Sequence, residues 1–132
     1  MSRILIDTHL LLWAVADPGK LPPAARKRID AAEVFVSAAS IWEVSIKAAL
    51  GKLAADPLEL LAEIEPAGFS LLPVTGEHAA AVARLPAIHA DPFDRMLVAQ
   101  AKTEPLLLLT NDAILSGYSD CIELVPSKPR RG

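Results

Sequence analysis

Two apolar stretches decide the fold: RILID at residues 3–7 and LLLLT at residues 106–110. Neither shows the alternation of apolar and polar residues that marks a half-exposed strand. Continuous apolar runs of this length are typical of strands in a parallel sheet that is covered on both faces. A third strand is predicted at residues 33–37, where the sequence EVFVS is rich in β-branched and aromatic residues. The sequence therefore predicts an α/β fold on a parallel sheet.

Helices are predicted between these strands, and most of the eleven prolines stand at the proposed element edges. The predicted helices cover residues 8–16, 22–32, 38–50, 57–65, 76–85, 92–103 and 111–116. Shorter strands are predicted at residues 71–74 and 122–125. Gly51 is expected to end the helix predicted at residues 38–50. This alternation predicts a three-layer sandwich: a central, mostly parallel sheet with helices on both faces and right-handed crossovers.

The length of 132 residues predicts one domain, which we place at residues 1–126, followed by a flexible basic tail at 127–132. The longest apolar run, residues 10–16, is far shorter than the roughly 18 residues of a membrane-spanning helix. There is no secretory signal pattern, and Cys121 is the only cysteine. We therefore expect a cytoplasmic protein without an internal disulfide and without a membrane partner.

Charge and hydropathy give two further indications. The net charge of −3 argues against a broad basic surface for nucleic acid. The mean hydropathy of +0.35 is high for a soluble monomer and predicts apolar surface that a partner or a second copy covers. Trp13 and Trp42 lie in apolar helical segments, so we expect them in the core or at an interface.

Carboxylates collect at one edge of the predicted sheet. Ligands bind beyond the carboxyl ends of parallel strands, and these ends are followed by Asp7, Glu43 and Asp112, while Asp91 and Asp94 open a neighbouring helix. Clustered carboxylates repel one another and raise one another's pKa. A divalent cation removes this conflict, and an all-oxygen donor set suits Mg²⁺ or Mn²⁺.

Each acid also has a structural interpretation. Asp7 would cap the helix that begins at residue 8. Ser40 and Glu43 have the spacing of a capping box, or Glu43 would pair with Lys47 four residues later. Asp112 would stabilise the first turn of its short helix. Asp91 would cap the helix that begins at Pro92, and Asp94 would stabilise the first turn of that helix. The sequence alone leaves these alternatives open.

Two histidines, His9 and His89, flank the predicted edge. Neither has the spacing of a zinc ligand relative to Cys121. We therefore predict surface or supporting structural roles for both histidines, rather than metal ligation.

Four blocks of the sequence resemble PIN-domain ribonucleases of the VapC toxin type. The blocks are LIDTHLLLW at residues 5–13, VSAASIWEV at 36–44, DPFDRMLVAQA at 91–101 and LTND at 109–112. Each block alone is weakly specific. Together they occur in the family's order and cover nearly the whole chain, so the resemblance is strongly specific and identifies residues 1–126 as a PIN-like nuclease domain.

The resemblance implies roles for individual residues. Asp7, Glu43 and Asp94 match the acidic metal site, and Asp112 matches a fourth acid that acts more loosely or through water. Asp91 falls outside this quartet and keeps its interpretation as a helix cap. The hydroxyls expected to support the acids are those of Thr8, Ser40 and Thr110.

The implied activity is Mg²⁺- or Mn²⁺-dependent endoribonuclease cleavage by the toxin of a toxin–antitoxin pair. The implied partners are RNA, a second copy in a homodimer, and an antitoxin whose C-terminal segment covers the active groove. Arg95 and Lys47 are candidate phosphate contacts, with salt bridges or solvated head groups as equal alternatives.

Two other functions remain open at this point. A receiver-like Mg²⁺-binding signalling domain would have adjacent acids after its first strand and a lysine after a late strand, whereas this chain has Asp7-Thr8-His9 and no such lysine. A non-catalytic α/β binding protein would use the same acids only as caps.

Overall fold

The computed structural model describes residues 2–126, and its centre is a five-stranded sheet. The strands are β1 (Ser2–Ile6), β2 (Ala32–Ser37), β3 (Ser70–Leu72), β4 (Leu107–Thr110) and β5 (Ile122–Leu124). Their order is β3-β2-β1-β4-β5, and every neighbouring pair is parallel. The predicted parallel sheet is therefore confirmed, and the predicted tail at 127–132 lies outside the described residues.

Six α-helices of the described residues connect or flank the strands. They are α1 (Thr8–Ala16), α2 (Pro23–Asp30), α3 (Ala38–Ala49), α4 (Pro57–Ile64), α5 (Gly76–Ala81) and α6 (Pro92–Thr103). Gly51 follows the end of α3 with a φ of +72°, so the predicted glycine closure is confirmed. None of the helices within residues 2–126 combines the length and the apolar character needed to cross a lipid bilayer.

Two predicted helices are only partly α-helical. The helix predicted at 76–85 ends at Ala81 and continues as a 3₁₀ turn, because Pro86 forces Leu85 into an extended conformation. The helix predicted at 111–116 is instead a 3₁₀ segment over Ala113–Cys121. Gly117 and Ser116 are weak helix formers in that segment.

Apolar side chains fill both faces of the sheet. Ile4 and Ile6 of β1 point to one face, where they pack with residues of α1, α2, α3 and α4. Leu5 points to the other face and packs with Leu97 of α6 and Leu108 of β4. All five side chains are completely buried. The predicted helices on both faces of the sheet are therefore confirmed.

The strand order creates a crevice at the carboxyl ends of β1 and β4. The chain builds the sheet outward from β1 in one direction and returns to add β4 on the other side of β1. Ile6 pairs with Leu109, and the N–H group of Asp7 donates to the carbonyl oxygen of Leu109 at 3.1 Å. Asp7 therefore lies at the switch in strand order, the position where α/β sheets bind ligands.

Candidate metal centre

Asp7 follows β1 directly, and hydrogen bonds fix both oxygens of its buried carboxylate. Oδ1 accepts from the N–H group of Leu10 at 2.8 Å, so the predicted cap of α1 is confirmed. Oδ2 accepts from the hydroxyl of Thr110 at 2.5 Å. Burial raises the pKa of Asp7 above its ordinary value, although the hydrogen bonds from Thr110 and Leu10 act in the opposite direction.

The hydroxyls predicted to support the acids form contacts between elements. The hydroxyl of Thr8 donates to Oγ of Ser40 at 2.9 Å, which joins the beginnings of α1 and α3. Oγ1 of Thr110 accepts from the N–H group of Asp112 at 3.0 Å while donating to Asp7. Thr110 therefore connects two of the four predicted acids through a single side chain.

The capping box predicted for Ser40 and Glu43 is wrong. The cap of α3 is Ser37, whose hydroxyl accepts from the N–H group of Ala39 at 3.0 Å. Ser37 ends β2 in an extended conformation, so the helix begins three residues earlier than a cap at Ser40 would require. Ser40 and Glu43 consequently lie inside the helix, on the side that is buried.

Glu43 carries a buried carboxylate that is satisfied at one oxygen only. Oε2 lies 2.6 Å from Nζ of Lys47, so the predicted pair at four-residue spacing is confirmed. That hydrogen bond is the main cause of a raised pKa for Lys47, and the charges of Asp91 and Asp94 add to it. Oε1 of Glu43 is buried and has no hydrogen-bond partner among the described residues. A buried oxygen of this kind costs free energy unless a cation or a donor reaches it.

Asp94 and Asp112 lie on either side of His89. Nε2 of His89 is 3.3 Å from Oδ2 of Asp94 and 3.3 Å from Oδ2 of Asp112. Within residues 2–126, these three residues form a group whose ligand atoms all lie within 4.8 Å of one another. Asp112 also accepts from the N–H group of Ile114 at 3.0 Å, which is the structural role predicted for it.

Asp94 is coupled electrostatically to the other acids. Its pKa is raised to about 6, first by burial and then by the charge of Asp91, with further contributions from Glu43 and Asp7. The neighbouring His89 acts in the opposite direction. Asp7 and Glu43 stand outside the group around His89, but their charges reach Asp94. The four predicted acids thus form one electrostatic unit, in which Asp94 and Asp112 are the close pair.

The place of His89 between two acids is the main feature that the sequence analysis did not predict. His89 precedes the cap of α6, Asp91, by two residues, and the N–H group of Asp91 donates to its Nδ1 at 3.0 Å. The interpretation of Asp91 as a cap is confirmed, since its Oδ1 accepts from the N–H groups of Phe93 and Asp94. The signals in the sequence were the position of His89 at the predicted edge and its close spacing to a helix cap.

Arg95 contacts the protein rather than a neighbouring acid or the solvent alone. Its guanidinium nitrogens donate to the carbonyl oxygens of Val82 at 3.1 Å, Pro86 at 3.1 Å and His89 at 3.4 Å. One nitrogen also lies 3.4 Å from the hydroxyl oxygen of Tyr118. Within residues 2–126 Arg95 forms neither the salt bridge nor the solvated head group expected as alternatives, and its prediction as a phosphate contact stays a prediction.

A groove of about 490 Å³ adjoins one of the four predicted acids, Glu43. Its lining includes Glu43 and Thr8. Three lysines also line it, namely Lys20, Lys47 and Lys52. Lys20 pairs with Asp17 at 3.5 Å and Lys47 with Glu43, whereas Lys52 is exposed. Positive charge beside an acidic centre is the arrangement that a bound phosphodiester strand requires.

The donor set fits a hard divalent cation. The four predicted acids offer carboxylate oxygens only, which suits Mg²⁺ or Mn²⁺ better than softer metals. The buried, unpaired Oε1 of Glu43 is the oxygen in this set that most clearly lacks a partner. The residues present are therefore compatible with a metal centre at this edge of the sheet.

Comparisons with known proteins place this geometry in context. The sequence model of the PIN domain family matches residues 4–120. The search of curated proteins found no match to this sequence.

Solved structures share the fold over nearly the whole chain. A chain of VapBC2 from Rickettsia felis, bound to a DNA fragment from its promoter, superposes with a TM-score of 0.67 at 10% identity, covering 94% of this chain and 98% of that one. FitAcB from Neisseria gonorrhoeae superposes with a TM-score of 0.66 at 20% identity, covering 93% of this chain and 97% of that one. A chain of a toxin–antitoxin complex from Klebsiella pneumoniae superposes with a TM-score of 0.66 at 16% identity, covering 96% of this chain and 99% of that one. At these identities the likeness concerns the fold alone.

Proposed function

The chain belongs to the PIN domain family, and on that premise we propose that it is a divalent-metal-dependent endoribonuclease, the toxin of a toxin–antitoxin pair. The observation that carries the proposal is the buried Oε1 of Glu43, which has no partner in residues 2–126, in a carboxylate whose charge acts on Asp94 of the close pair Asp94 and Asp112. Lysine and arginine side chains do not neutralise every carboxylate of this acidic centre. Such a centre is suited to binding a metal that assists phosphodiester hydrolysis. The receiver-like alternative is not retained, because the family match assigns the chain elsewhere.

The residues that would hold Mg²⁺ or Mn²⁺ are Asp7, Glu43, Asp94 and Asp112. When bound, the cation lowers the pKa of a coordinated water and stabilises negative charge on the scissile phosphate. Asp7 is the rigid member of the set, because Thr110 and the N–H group of Leu10 fix its two oxygens. The hydroxyls of Thr8 and Ser40 hold the first turns of α1 and α3 together behind it.

Asp94 and Asp112 are the acids that solvent reaches. Their side chains are 24% and 37% exposed, whereas that of Glu43 is 6% exposed. A water that attacks the phosphate must come from solvent and must lose a proton. We therefore assign the orientation of that water to Asp94 or Asp112.

The substrate would lie along the groove that the three lysines line. Lys52 is exposed and free to meet a phosphate, and Lys47 reaches the groove while paired with Glu43. These positive charges offset the net charge of −3 where the substrate would approach. Metal ligation does not itself select RNA over DNA, so RNA as the substrate rests on the family resemblance.

Exposed apolar side chains support the proposal that the chain binds protein partners. Leu58 is 75% exposed, and Trp42 and Leu50 are each 63% exposed. Exposed apolar side chains mark interaction surfaces where they form a contiguous patch. We assign this surface to a second copy of the chain and to an antitoxin segment that covers the groove, in a cytoplasmic complex.

A cleavage assay tests the enzymatic part of the proposal. Purified protein is incubated with 5′-labelled RNA and with DNA of the same sequence, in Mg²⁺, Mn²⁺ or EDTA. We expect RNA cleavage that requires metal and is lost in Asp7→Asn and Asp94→Asn. Asp56→Asn is the matched control, because asparagine keeps the cap that Asp56 provides to α4.

Three outcomes would contradict the proposal. Cleavage that persists in both site variants would point to a contaminating nuclease. Cleavage of DNA in preference to RNA would overturn the substrate class. Metal binding without cleavage of either polymer would favour the non-catalytic binding protein.

Expression in a bacterial host tests the toxin role. We expect growth arrest by the wild type, no arrest by Asp94→Asn, and relief when the adjacent small reading frame is co-expressed. Unimpaired growth at a level where the protein is soluble and cleaves RNA in vitro would reject the toxin role while leaving the nuclease intact.

A further inference from the structure

His89 occupies the space between two carboxylates that the proposed function assigns to a metal. Its Nε2 lies 3.3 Å from an oxygen of Asp94 and 3.3 Å from an oxygen of Asp112. An imidazole in this position has two distinct uses. It can give its nitrogen lone pair to a cation as a ligand, or it can donate a hydrogen bond to the carboxylates.

The other ring nitrogen decides between the two uses. The N–H group of Asp91 donates to Nδ1 of His89 at 3.0 Å. Nδ1 must therefore accept, so it carries no proton in this arrangement. A neutral imidazole then has its proton on Nε2, which faces the two carboxylates. A metal ligand would need the reverse tautomer, with Nδ1–H directed at the N–H group of Asp91.

The backbone of His89 is held as firmly as its ring. Its N–H group donates to the hydroxyl oxygen of Tyr118 at 3.1 Å, and its carbonyl oxygen accepts from Arg95 at 3.4 Å. Tyr118 in turn donates to the carbonyl oxygen of Pro86 at 3.2 Å, which Arg95 also contacts. The loop that carries His89 is thereby fixed from both sides, and the ring has little freedom to turn over.

We propose that His89 is a positioning residue that donates its Nε2–H to Asp112 beside Asp94, and that it is not a metal ligand. The proposal rests on the proposed function, since it concerns the same metal centre. The donated proton brings the two carboxylates together before a cation arrives. It also fixes Oδ2 of Asp112, whose Oδ1 accepts from the N–H group of Ile114, so that this carboxylate is held in one orientation.

Arg95 and Tyr118 act through this histidine. Neither of them contacts a predicted acid by a hydrogen bond or an ion pair described in residues 2–126, yet both hold the backbone of His89. Their effect on the metal centre must therefore pass through the position of the ring. This assigns to Arg95 a role other than the phosphate contact predicted from the sequence.

Nitrogen-15 spectra of histidine side chains test the tautomer directly. Metal-free protein labelled at histidine nitrogens is compared with the same protein after addition of Mg²⁺ or Zn²⁺, and His89→Gln assigns the signals. We expect a protonated Nε2 and an unprotonated Nδ1, unchanged when Mg²⁺ binds. A proton on Nδ1, or loss of the Nε2 proton when Zn²⁺ or Mg²⁺ binds, would overturn the proposal.

Calorimetric titration with Mg²⁺ and with Mn²⁺ tests the effect on the metal centre. We expect His89→Ala to lower both affinities by about the same factor, on the order of tenfold, as for other groups that orient metal ligands. His89→Gln keeps an N–H donor at a similar reach, so it should recover most of the affinity. Tyr118→Phe should give a smaller loss of the same kind, and Asp56→Asn, which keeps the cap of α4, is the control.

The two proposals fail in different ways. A loss in His89→Ala that is far larger for Mn²⁺ than for Mg²⁺, with no recovery by glutamine, would indicate a nitrogen ligand and overturn the positioning role. If the wild type binds neither cation, the metal centre and the proposed function fail. In that case the metal-free spectra still decide the tautomer, and a protonated Nδ1 would reject the donor role independently.

Discussion

The hydroxyl of Thr110 donates a 2.5 Å hydrogen bond to Oδ2 of Asp7, and this contact joins the ends of β4 and β1 across 103 residues of sequence. Oγ1 of Thr110 also accepts from the N–H group of Asp112. One threonine thus sets the orientation of a buried acid and the start of the turn that carries another acid. The position of Thr110 follows from the parallel pairing of β1 with β4.

Thr110→Val is expected to weaken both the fold and the metal centre. Valine keeps the shape of the side chain but leaves a buried carboxylate oxygen without its donor. Hydrogen bonds to charged groups contribute about 1.5–3 kcal/mol, so we expect a loss of that size in the free energy of unfolding without metal. Thr110→Ser keeps the hydroxyl and serves as the control. Urea unfolding in EDTA measures the difference, and equal stability of the two variants would contradict the role assigned to Thr110.

The metal-free protein is expected to lose stability as the pH rises from about 4 to about 7. The pKa of Asp94 is raised to about 6 in the folded state, whereas an unfolded aspartate has a pKa of about 3.9. Between these values the folded state binds more protons than the unfolded state, so the free energy of unfolding falls as the pH rises. The raised pKa of Asp7 acts in the same direction. Because Asp94 is partly exposed, solvent screening keeps its contribution below about 3 kcal/mol.

Asp94→Asn removes the titrating group and provides the comparison. The variant should gain stability over the wild type as the pH rises through about 6, and the two should converge near pH 4. Urea unfolding in EDTA at a series of pH values measures this difference. A constant difference between the two proteins across the series would show that burial does not shift this carboxylate as described.

Lys47→Met is expected to raise the affinity for Mn²⁺ while lowering the stability of the metal-free protein. The ammonium group of Lys47 satisfies Oε2 of the buried Glu43 and competes with a cation for that carboxylate. Its removal leaves a buried oxygen unsatisfied, at a cost of about 1–3 kcal/mol. Lys52→Met is the matched control, because Lys52 lines the same groove and lacks this pairing with Glu43. Unchanged Mn²⁺ affinity together with weaker RNA binding would assign Lys47 to phosphate contact instead.

Arg95→Lys is expected to loosen the loop that carries His89. Lysine keeps the charge but cannot reach the carbonyl oxygens of Val82, Pro86 and His89 together, as the planar guanidinium does. We expect faster hydrogen exchange at residues 86–91 and an unchanged salt dependence of RNA binding, with Arg84→Lys as the control. Intact exchange protection with a reduced salt slope would instead support the phosphate contact predicted from the sequence.

Local patterns account for the elements that the sequence predicted well. The runs at residues 3–7 and 106–110 are apolar on both sides, so only a strand covered by helices on both faces can bury them. The caps at Asp7 and Asp91 depend on residues within three positions of each other. The capping box at Ser40 was wrong although the predicted strand at 33–37 and helix at 38–50 were nearly correct. These boundaries already make Ser37 the cap, so the spacing of Ser40 and Glu43 lies inside the helix and caps nothing.

By itself, the sequence determined the α/β class, the parallel sheet and the four acids that follow its strands or open its helices. Each of these depends on residue type and on short spacing, which hydrophobic burial and helix capping impose locally. Only the tertiary structure decided which acids are close, which oxygen of Glu43 is left unpaired, and that His89 lies between Asp94 and Asp112. Those facts depend on where α3, α6 and the end of β4 meet. Packing across the sheet sets that meeting point, and the spacing of residues along the chain does not.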